Sequence, residues 1–134
     1  MATLTELARF HTALDGRGVN HLQRLVAGWG LLADFCFADL LLFAPTVDSP
    51  DGERFLVVSQ VRPSTSQTVY RADWIGTSVD AEERPLVARA FRLAEIIEGE
   101  ATVASPSMIS PRRKARATSG RSSSSTVVPI QSAR

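Results

Sequence analysis

The sequence has little of what disulfide-linked, zinc-binding and membrane proteins require. It holds a single cysteine, Cys36, among 134 residues, so no internal disulfide can form and zinc motifs built on paired cysteines are excluded. Its longest apolar run lies in DLLLFA at 39–44 and is far too short to span a bilayer. The N-terminus lacks the basic region followed by an apolar one that marks a secretory signal. These absences favour a cytoplasmic protein without a membrane segment.

Catalytic motifs are equally scarce. Neither a P-loop nor GxGxxG is present. Cys36 stands between Phe35 and Phe37, which favours a thiol buried in the core over a reactive one. Nothing in the spacing fixes Asp34 and Asp39 as an acid/base pair, and both histidines, His11 and His21, fit surface or structural positions. The sequence therefore predicts no catalytic residue, no metal site and no cofactor.

The charge divides the chain into two blocks. All fourteen acidic residues lie in 1–104 beside nine arginines, whereas 105–134 carries five arginines, one lysine and no acid. The second block also contains a run of four serines and few large apolar residues, a composition that cannot offset its own ordering entropy. We expect a folded domain over 1–104 and a basic, Ser/Arg-rich flexible tail over 105–134, in which VVPI at 127–130 could form one strand.

Hydrophobic periodicity predicts helices and strands in a definite order within the first block. A first helix over 3–14 has Thr3 as its cap with Glu6 three residues later, and a second over 19–35 has Asn20 as a candidate cap. Two strands, around 40–44 and 54–62, flank a DG turn, and alternation over 68–76 predicts a third strand. A third helix around 80–95 with Asp80 as its candidate cap and a last short strand in IIEGEATV complete the pattern. This order describes an α+β domain with helices packed on an antiparallel sheet.

Three segments carry a resemblance to a known family. They are HLQRLVAGWGLLADFCFADLLLF at 21–43, SQVRPSTSQTVYRADWIGT at 59–77 and PLVARAF at 85–91. Together they resemble the N-terminal GAF-type sensor domain of actinobacterial two-component sensor histidine kinases of the PdtaS type, over about residues 4–104. The resemblance implies a GAF/PAS-like sheet, a cytoplasmic homodimer and a signal-sensing role, with a response regulator as the partner of the full-length kinase.

The chain departs from that family pattern after residue 104. No phosphoacceptor helix and no ATP-binding boxes are recognisable there. We therefore expect a GAF-like domain truncated before its last strands and lacking the kinase parts, whether by natural shortening or by a frameshift. The expected function is sensing and not phosphotransfer.

The second strand ends on polar residues that suggest a binding site. Gln60 and Arg62 follow an apolar run, and buried polar groups need partners. In one interpretation Arg62 pairs with Asp39 or Asp73 and Gln60 bonds to backbone. In the other, Gln60, Arg62 and the hydroxyls of Thr65 and Thr68 line a ligand cavity, where an arginine fork would suit a phosphate or carboxylate.

Two aromatic residues add to the possible binding site, and the first two helices suggest a dimer surface. Tyr70 and Trp74 share one face of the predicted third strand and could stack on a planar, nucleotide-like ligand, although a core or dimer contact is the commoner use of such a pair. The apolar stripe of the first two helices, with Trp29, suits a homodimer. A non-sensory dimerisation or scaffold domain is the alternative function, and nucleic-acid binding through PRRKAR in the tail is a third.

Overall fold

The structure, a computed structural model, describes residues 2–64 and 70–102 and the backbone of the strand Ser122–Val127. Its four helices and five strands in these residues confirm the predicted α+β class. The helices are α1 (Leu4–His11), α2 (Gly16–Ala27), α3 (Trp29–Cys36) and α4 (Pro85–Leu93). The strands are β1 (Leu40–Pro45), β2 (Arg54–Val61), β3 (Ser78–Asp80), β4 (Ile97–Thr102) and β5 (Ser122–Val127).

The first helix begins where its capping signal predicts. The backbone N–H of Glu6 donates to Thr3 Oγ1 at 3.3 Å, and the backbone N–H of Thr3 donates to Glu6 Oε2 at 2.8 Å. This reciprocal pair satisfies two N–H groups that the helix end would otherwise leave without partners.

The predicted second helix is wrong in its start and in its continuity. The helix begins at Gly16 because the Asp15 carboxylate accepts from the backbone N–H of Gly18 at 2.8 Å, so Asp15 and not Asn20 is the cap. Gly28 then separates α2 from α3, with φ −92° and ψ 0°. Glycine has the lowest helix propensity after proline, and at this exposed position it ends one helix and begins the next.

The hairpin of β1 and β2 is confirmed, whereas the third strand lies elsewhere. Leu40 pairs with Val61 and Pro45 with Phe55, with one irregularity between Leu42 and Phe43. The strand predicted over 68–76 is wrong: residues 70–77 form no strand, and β2 pairs instead with the short strand Ser78–Asp80. A turn closed by the N–H of Thr77 donating to the Trp74 carbonyl, with Gly76 at φ 84°, redirects the chain before pairing can start.

The sheet is buried on both faces, which explains the continuous apolar run of β2. One face packs on α1 and α2 through a cluster of Leu7, Leu22, Leu42, Ala44, Leu56 and Val58. The other packs on α4 through Phe55, Val57, Trp74, Val79, Val87 and Ala88. A strand covered on both sides reads as an uninterrupted apolar sequence, and in β2 that sequence runs from Phe55 to Val58, with polar residues only towards the two ends of the strand.

The last helix starts later than predicted. Pro85 is its first residue and Arg84 its cap, while Asp80, the predicted cap, ends β3. Proline fits the first helical position because its missing N–H would have no partner there. The predicted strand in IIEGEATV is confirmed as β4, which pairs antiparallel with β5. The rest of 105–134, including 128–130 of the predicted VVPI strand, lies outside the described residues, so the boundary at 104 stays a prediction.

One backbone strain in α4 predicts a stabilising change. Ala94 ends the helix in the left-handed region, at φ 55° and ψ 37°, which costs an L-residue roughly 1–2 kcal/mol. Ala94→Gly removes that cost at an exposed site. The glycine also makes the unfolded chain more flexible, which lowers the gain in stability by about 0.4–1 kcal/mol. The expected gain in unfolding free energy is about 0.5–1 kcal/mol, measured by urea denaturation. Ala90→Gly, inside the same helix, should lose about 1 kcal/mol or more; equal effects of the two changes would contradict this account.

Candidate functional site

The predicted site lies where residues 70–77 run beside the end of β2. Two backbone hydrogen bonds start this contact: Gly76 N donates to the Val57 carbonyl at 2.8 Å, and Val57 N donates to the Thr77 carbonyl at 3.0 Å. Further along the segment towards Tyr70, the hydrogen bonds are made by two side chains, Gln60 of β2 and Arg62 just after β2.

Gln60 supplies the first of these side chains. Its Oε1 accepts from the backbone N–H of Trp74 at 2.7 Å, and its Nε2 donates to the carbonyl of Ala72 at 3.3 Å. A primary amide carries a donor and an acceptor, as a peptide group does. Gln60 therefore takes the place of a backbone neighbour for Ala72 and Trp74, at a point where the main chains have separated.

Arg62 supplies the second side chain that bonds this segment. Its Nε donates to the carbonyl of Tyr70 at 2.8 Å and its Nη2 to Asp73 Oδ1 at 2.8 Å. The fixed fork of the guanidinium thus binds one backbone and one side-chain oxygen of the same segment. Both charged groups are partly exposed, and exposed ion pairs are typically worth less than about 1 kcal/mol.

Two aspartates, Asp34 at the end of α3 and Asp39 just before β1, accept hydrogen bonds from the chain that follows β2. Asp34 Oδ1 accepts from the backbone N–H of Ser64 at 2.6 Å and from its hydroxyl at 2.8 Å. These bonds lower the pKa of the Asp34 carboxyl, the backbone bond more than the hydroxyl one. Asp39 Oδ2 accepts from the backbone N–H of Tyr70 at 3.1 Å. The role of Asp34 was not predicted from the sequence, in which a carboxylate at a helix end that precedes a strand is its only signal.

Trp74 and Tyr70 meet edge to face. Their ring centroids are 5.9 Å apart with an interplanar angle of 89°, and the Arg84 guanidinium lies 4.8 Å from the Trp74 centroid. Trp74 is 1% exposed, whereas Tyr70 is half-buried and its pKa is raised mainly by burial. Trp74 therefore belongs to the core in this conformation, and Tyr70 is the ring nearer to solvent.

Four of the six predicted site residues come together, and the other two are not described. Gln60, Arg62, Tyr70 and Trp74 form one connected group, and Thr65 and Thr68 lie outside the described residues. The first interpretation of Gln60 and Arg62, with Asp73 and backbone as partners, matches these contacts. The ligand-lining interpretation stays a prediction.

Cys36 is not a core residue as predicted. It is exposed, because α3 turns Ala33 inward and places Phe35 and Phe37 at 75% and 67% exposure. Within residues 2–64 and 70–102, no three His, Cys, Asp or Glu side chains are grouped to hold a metal ion. No helix in that part of the chain is long and apolar enough to cross a membrane.

Two clefts lie away from the predicted residues. The larger, about 940 Å³, runs between β3 and α4, with Arg54, Asp80, Arg89 and Arg92 in its walls. The smaller, about 280 Å³, lies between His11 and the β1–β2 hairpin. The larger cleft carries acids as well as arginines, since Glu53 and Glu82 also line it, so it shows no preference for ligands of one charge.

Comparison with known proteins gives one consistent family. The family model described as the GAF domain of histidine kinase PdtaS matches residues 4–133. The sensor histidine kinase PdtaS of Mycobacterium tuberculosis is 45% identical over 91 residues, which are 68% of this chain and 17% of that protein. Its counterpart in Mycolicibacterium smegmatis is 38% identical over 99 residues, 74% of this chain and 19% of that protein.

A solved structure agrees with the sequence matches. It is described as the sensor region of a sensor histidine kinase, and it is similar to 90% of this chain with a TM-score of 0.64 and 35% identity. The chain covers 46% of that structure. It thus spans under a fifth of the curated kinases it matches and about half of the solved sensor region.

The amide of Gln60 can be tested by replacing its donor with a carboxylate oxygen, a change that also adds one negative charge, as the control variant does. In Gln60→Glu an oxygen replaces the N–H₂ that faces the Ala72 carbonyl, leaving two acceptors opposed. We expect a loss of about 1–3 kcal/mol in unfolding free energy by urea denaturation at pH 7. Gln23→Glu is the matched control, because Gln23 is exposed and its Nε2 donates to another exposed side chain, Thr5 Oγ1, so its change should stay within about 0.5 kcal/mol. Equal losses would refute the role of Gln60.

The Asp34–Ser64 contact can be followed by the titration of Asp34. Its folded pKa lies below the ordinary 3.8, so the contact stabilises fully above the unfolded value and is lost as the pH falls through the folded one. Ser64→Ala removes the hydroxyl bond and keeps the backbone bond, so the pKa of Asp34 should rise part of the way towards 3.8, as measured by NMR. The pKa of Asp48, lowered first by a hydrogen bond from Thr46, should not move. An unchanged Asp34 pKa would contradict the contact.

Proposed function

The chain belongs to the GAF domain family of the PdtaS histidine kinases, and from that membership we propose that it is a signal-sensing, ligand-binding module of such a kinase. The observation that carries the proposal is the partly exposed Arg62 fork, which joins residues 70–74 to the sheet in a segment that also bears Tyr70. The ligand class that fits an arginine fork is a phosphate or carboxylate.

The proposed binding step is an exchange of partners at Arg62. Asp73, the side-chain partner of Arg62, is well exposed and can swing into water. An anionic ligand would take its place on the guanidinium, while Tyr70, half-buried beside it, offers one ring edge to a nucleotide-like group. Thr65 and Thr68, which the sequence predicts to line the same site, would add hydroxyl donors.

Linkage then turns binding into a signal. A ligand shifts a conformational equilibrium only by its difference in affinity between two states. Here the two states would differ in whether Arg62 holds Asp73. Tyr70 of this segment donates to Asp39 before β1, and Ser64, two residues after Arg62, donates to Asp34 in the last turns of α3, so a displacement around Arg62 would reach the helical side of the domain.

The rest of the proposal concerns the longer protein. The chain spans 17% and 19% of two curated relatives named sensor histidine kinases, and we assign no catalytic step to its described residues. Phosphotransfer to a response regulator would belong to other parts of a full-length kinase. We place the module in the cytoplasm, as one half of a homodimer. A domain that only pairs, without a ligand, is the alternative.

Thermal melting of the 134-residue chain tests the ligand. Nucleotides, dinucleotides and metal ions are added in turn to the wild type and to Arg62→Ala. A nucleotide at 100 times its dissociation constant should stabilise the chain by roughly 2.7 kcal/mol, and Arg62→Ala should abolish the shift. Arg54→Ala is the matched control, because Arg54 pairs with Asp80 at the other end of β2, and it should keep the shift.

A second variant makes the exchange mechanism falsifiable. Asp73→Asn removes the charged internal competitor, so the same nucleotide should bind more tightly, by up to about fivefold for a pair worth no more than about 1 kcal/mol. Weaker binding in Asp73→Asn would refute the exchange while leaving a ligand in place. A wild-type chain that no member of the panel stabilises would favour the pairing domain without a ligand.

A further inference from the structure

The outer side of α3 is the most apolar exposed surface among the described residues. Leu31 is 68% exposed and Phe35 75%. They are four residues apart and so lie on one face of the helix. Phe37, just past the helix end, is 67% exposed, and Leu25 and Leu32 add partly exposed side chains. Of the eight residues of α3, only Ala33 is buried. A helix that is apolar around most of its circumference is normally covered on more than one side.

Phe37 is held outward at a conformational cost. It has φ 51° and ψ 40°, the left-handed region, where a bulky residue is rare and glycine is favoured. The N–H groups of Phe37 and Ala38 both donate to the Ala33 carbonyl, a helix ending that glycine would form without strain. Strained residues concentrate at functional positions, and here the strain presents an aromatic ring to solvent.

The area of this surface is large enough for a contact between proteins. A phenylalanine buries roughly 150–250 Å² when fully covered, so Phe35 and Phe37, at 75% and 67% exposure, leave about 200–350 Å² of apolar surface in water. The three leucines enlarge the patch further. Two copies meeting through this patch would together bury about twice that area plus the contribution of the leucines, which approaches the roughly 1,000 Å² expected of a specific interface.

We infer that this surface, formed by Leu31, Phe35 and Phe37, is where a second copy of the chain packs, α3 against α3. The charge of the patch permits this occupant. Asp34 is the one charged residue of α3, and its carboxylate is bonded to Ser64. An uncharged patch meets its own copy without like-charge repulsion, and antiparallel helices place Leu31 of each copy opposite Phe35 of the other. This inference rests on the homodimer of the proposed function and gives it an interface.

Sedimentation equilibrium of the full chain tests the interface. Phe35→Ser and Phe37→Gly should each weaken dimerisation by about tenfold or more, because each withdraws most of an aromatic ring from the contact. Phe10→Ser is the matched control: Phe10 is 77% exposed but lies on α1, so the dimer constant should not change. Phe37→Gly also relieves the strain, so its thermal midpoint, measured where all forms are monomeric, should not fall.

The single natural thiol gives an independent measurement. Cys36 is exposed and next to Phe35. In an antiparallel pair centred on Ala33 the two Cys36 positions are roughly 9 Å apart along the helix axes and a further 8–10 Å across. A bismaleimide of matching length should therefore cross-link the wild type and Phe10→Ser, and should fail with Phe35→Ser.

The outcomes separate the interface from the proposed dimer. A wild-type dimer that Phe35→Ser and Phe37→Gly leave intact overturns the α3 surface and preserves the homodimer. A wild-type chain that stays monomeric at every concentration overturns both. Equal weakening by Phe10→Ser would mean general loss of apolar surface, and would also overturn the assignment to α3.

Discussion

The attachment of residues 70–74 to the sheet by side chains instead of a backbone ladder is the constraint on which this domain depends. The backbone hydrogen bonds between β2 and this segment stop at Val57, and Gln60 then bonds Ala72 and Trp74 with its side-chain amide. That bond fixes Trp74, the largest fully buried side chain, between β2 and α4. Buried polar groups cost free energy unless they are satisfied, so an amide of matched polarity is what allows the chain to leave the ladder and still fill the core.

The same arrangement explains how the two faces of the sheet can be coupled. Trp74 packs in the cluster under α4, while Ser64 donates to a carboxylate at the end of α3 and Tyr70 to one before β1. Residues close to Arg62 on both sides therefore contact helical elements on both faces of the sheet. Coupling needs an element with two discrete arrangements that both sites bias, and side-chain attachments are easier to exchange than a ladder of main-chain bonds.

Sequence patterns predicted the parts of the fold that local chemistry decides. The capping box at Thr3, the apolar hairpin and the last strand follow from signals within a few residues. The prediction of the third strand was wrong because alternation over 68–76 is only a local preference. The path of residues 70–77 depends on Gln60 and Arg62, which are distant in sequence. Asp73 was foreseen as one partner of Arg62 from charge alone, yet the roles of Asp34 and of the exposed Cys36 depend on how α3 is turned. That rotation is set by Ala33 fitting the core, and no periodicity over eight residues could fix it.

An arginine that already holds an internal carboxylate also limits which ligands can act on this domain. Asp73 is already bonded to Arg62 within the same chain, so it competes as a carboxylate at the high effective concentration of an intramolecular partner. A ligand with one carboxylate would gain little over Asp73, since the two groups are chemically alike. A phosphate carries more charge and more acceptor oxygens, and can engage both arms of the fork. In the proposed exchange, internal competition would therefore favour phosphorylated ligands over simple acids, and the exchange itself would be the step that selects them.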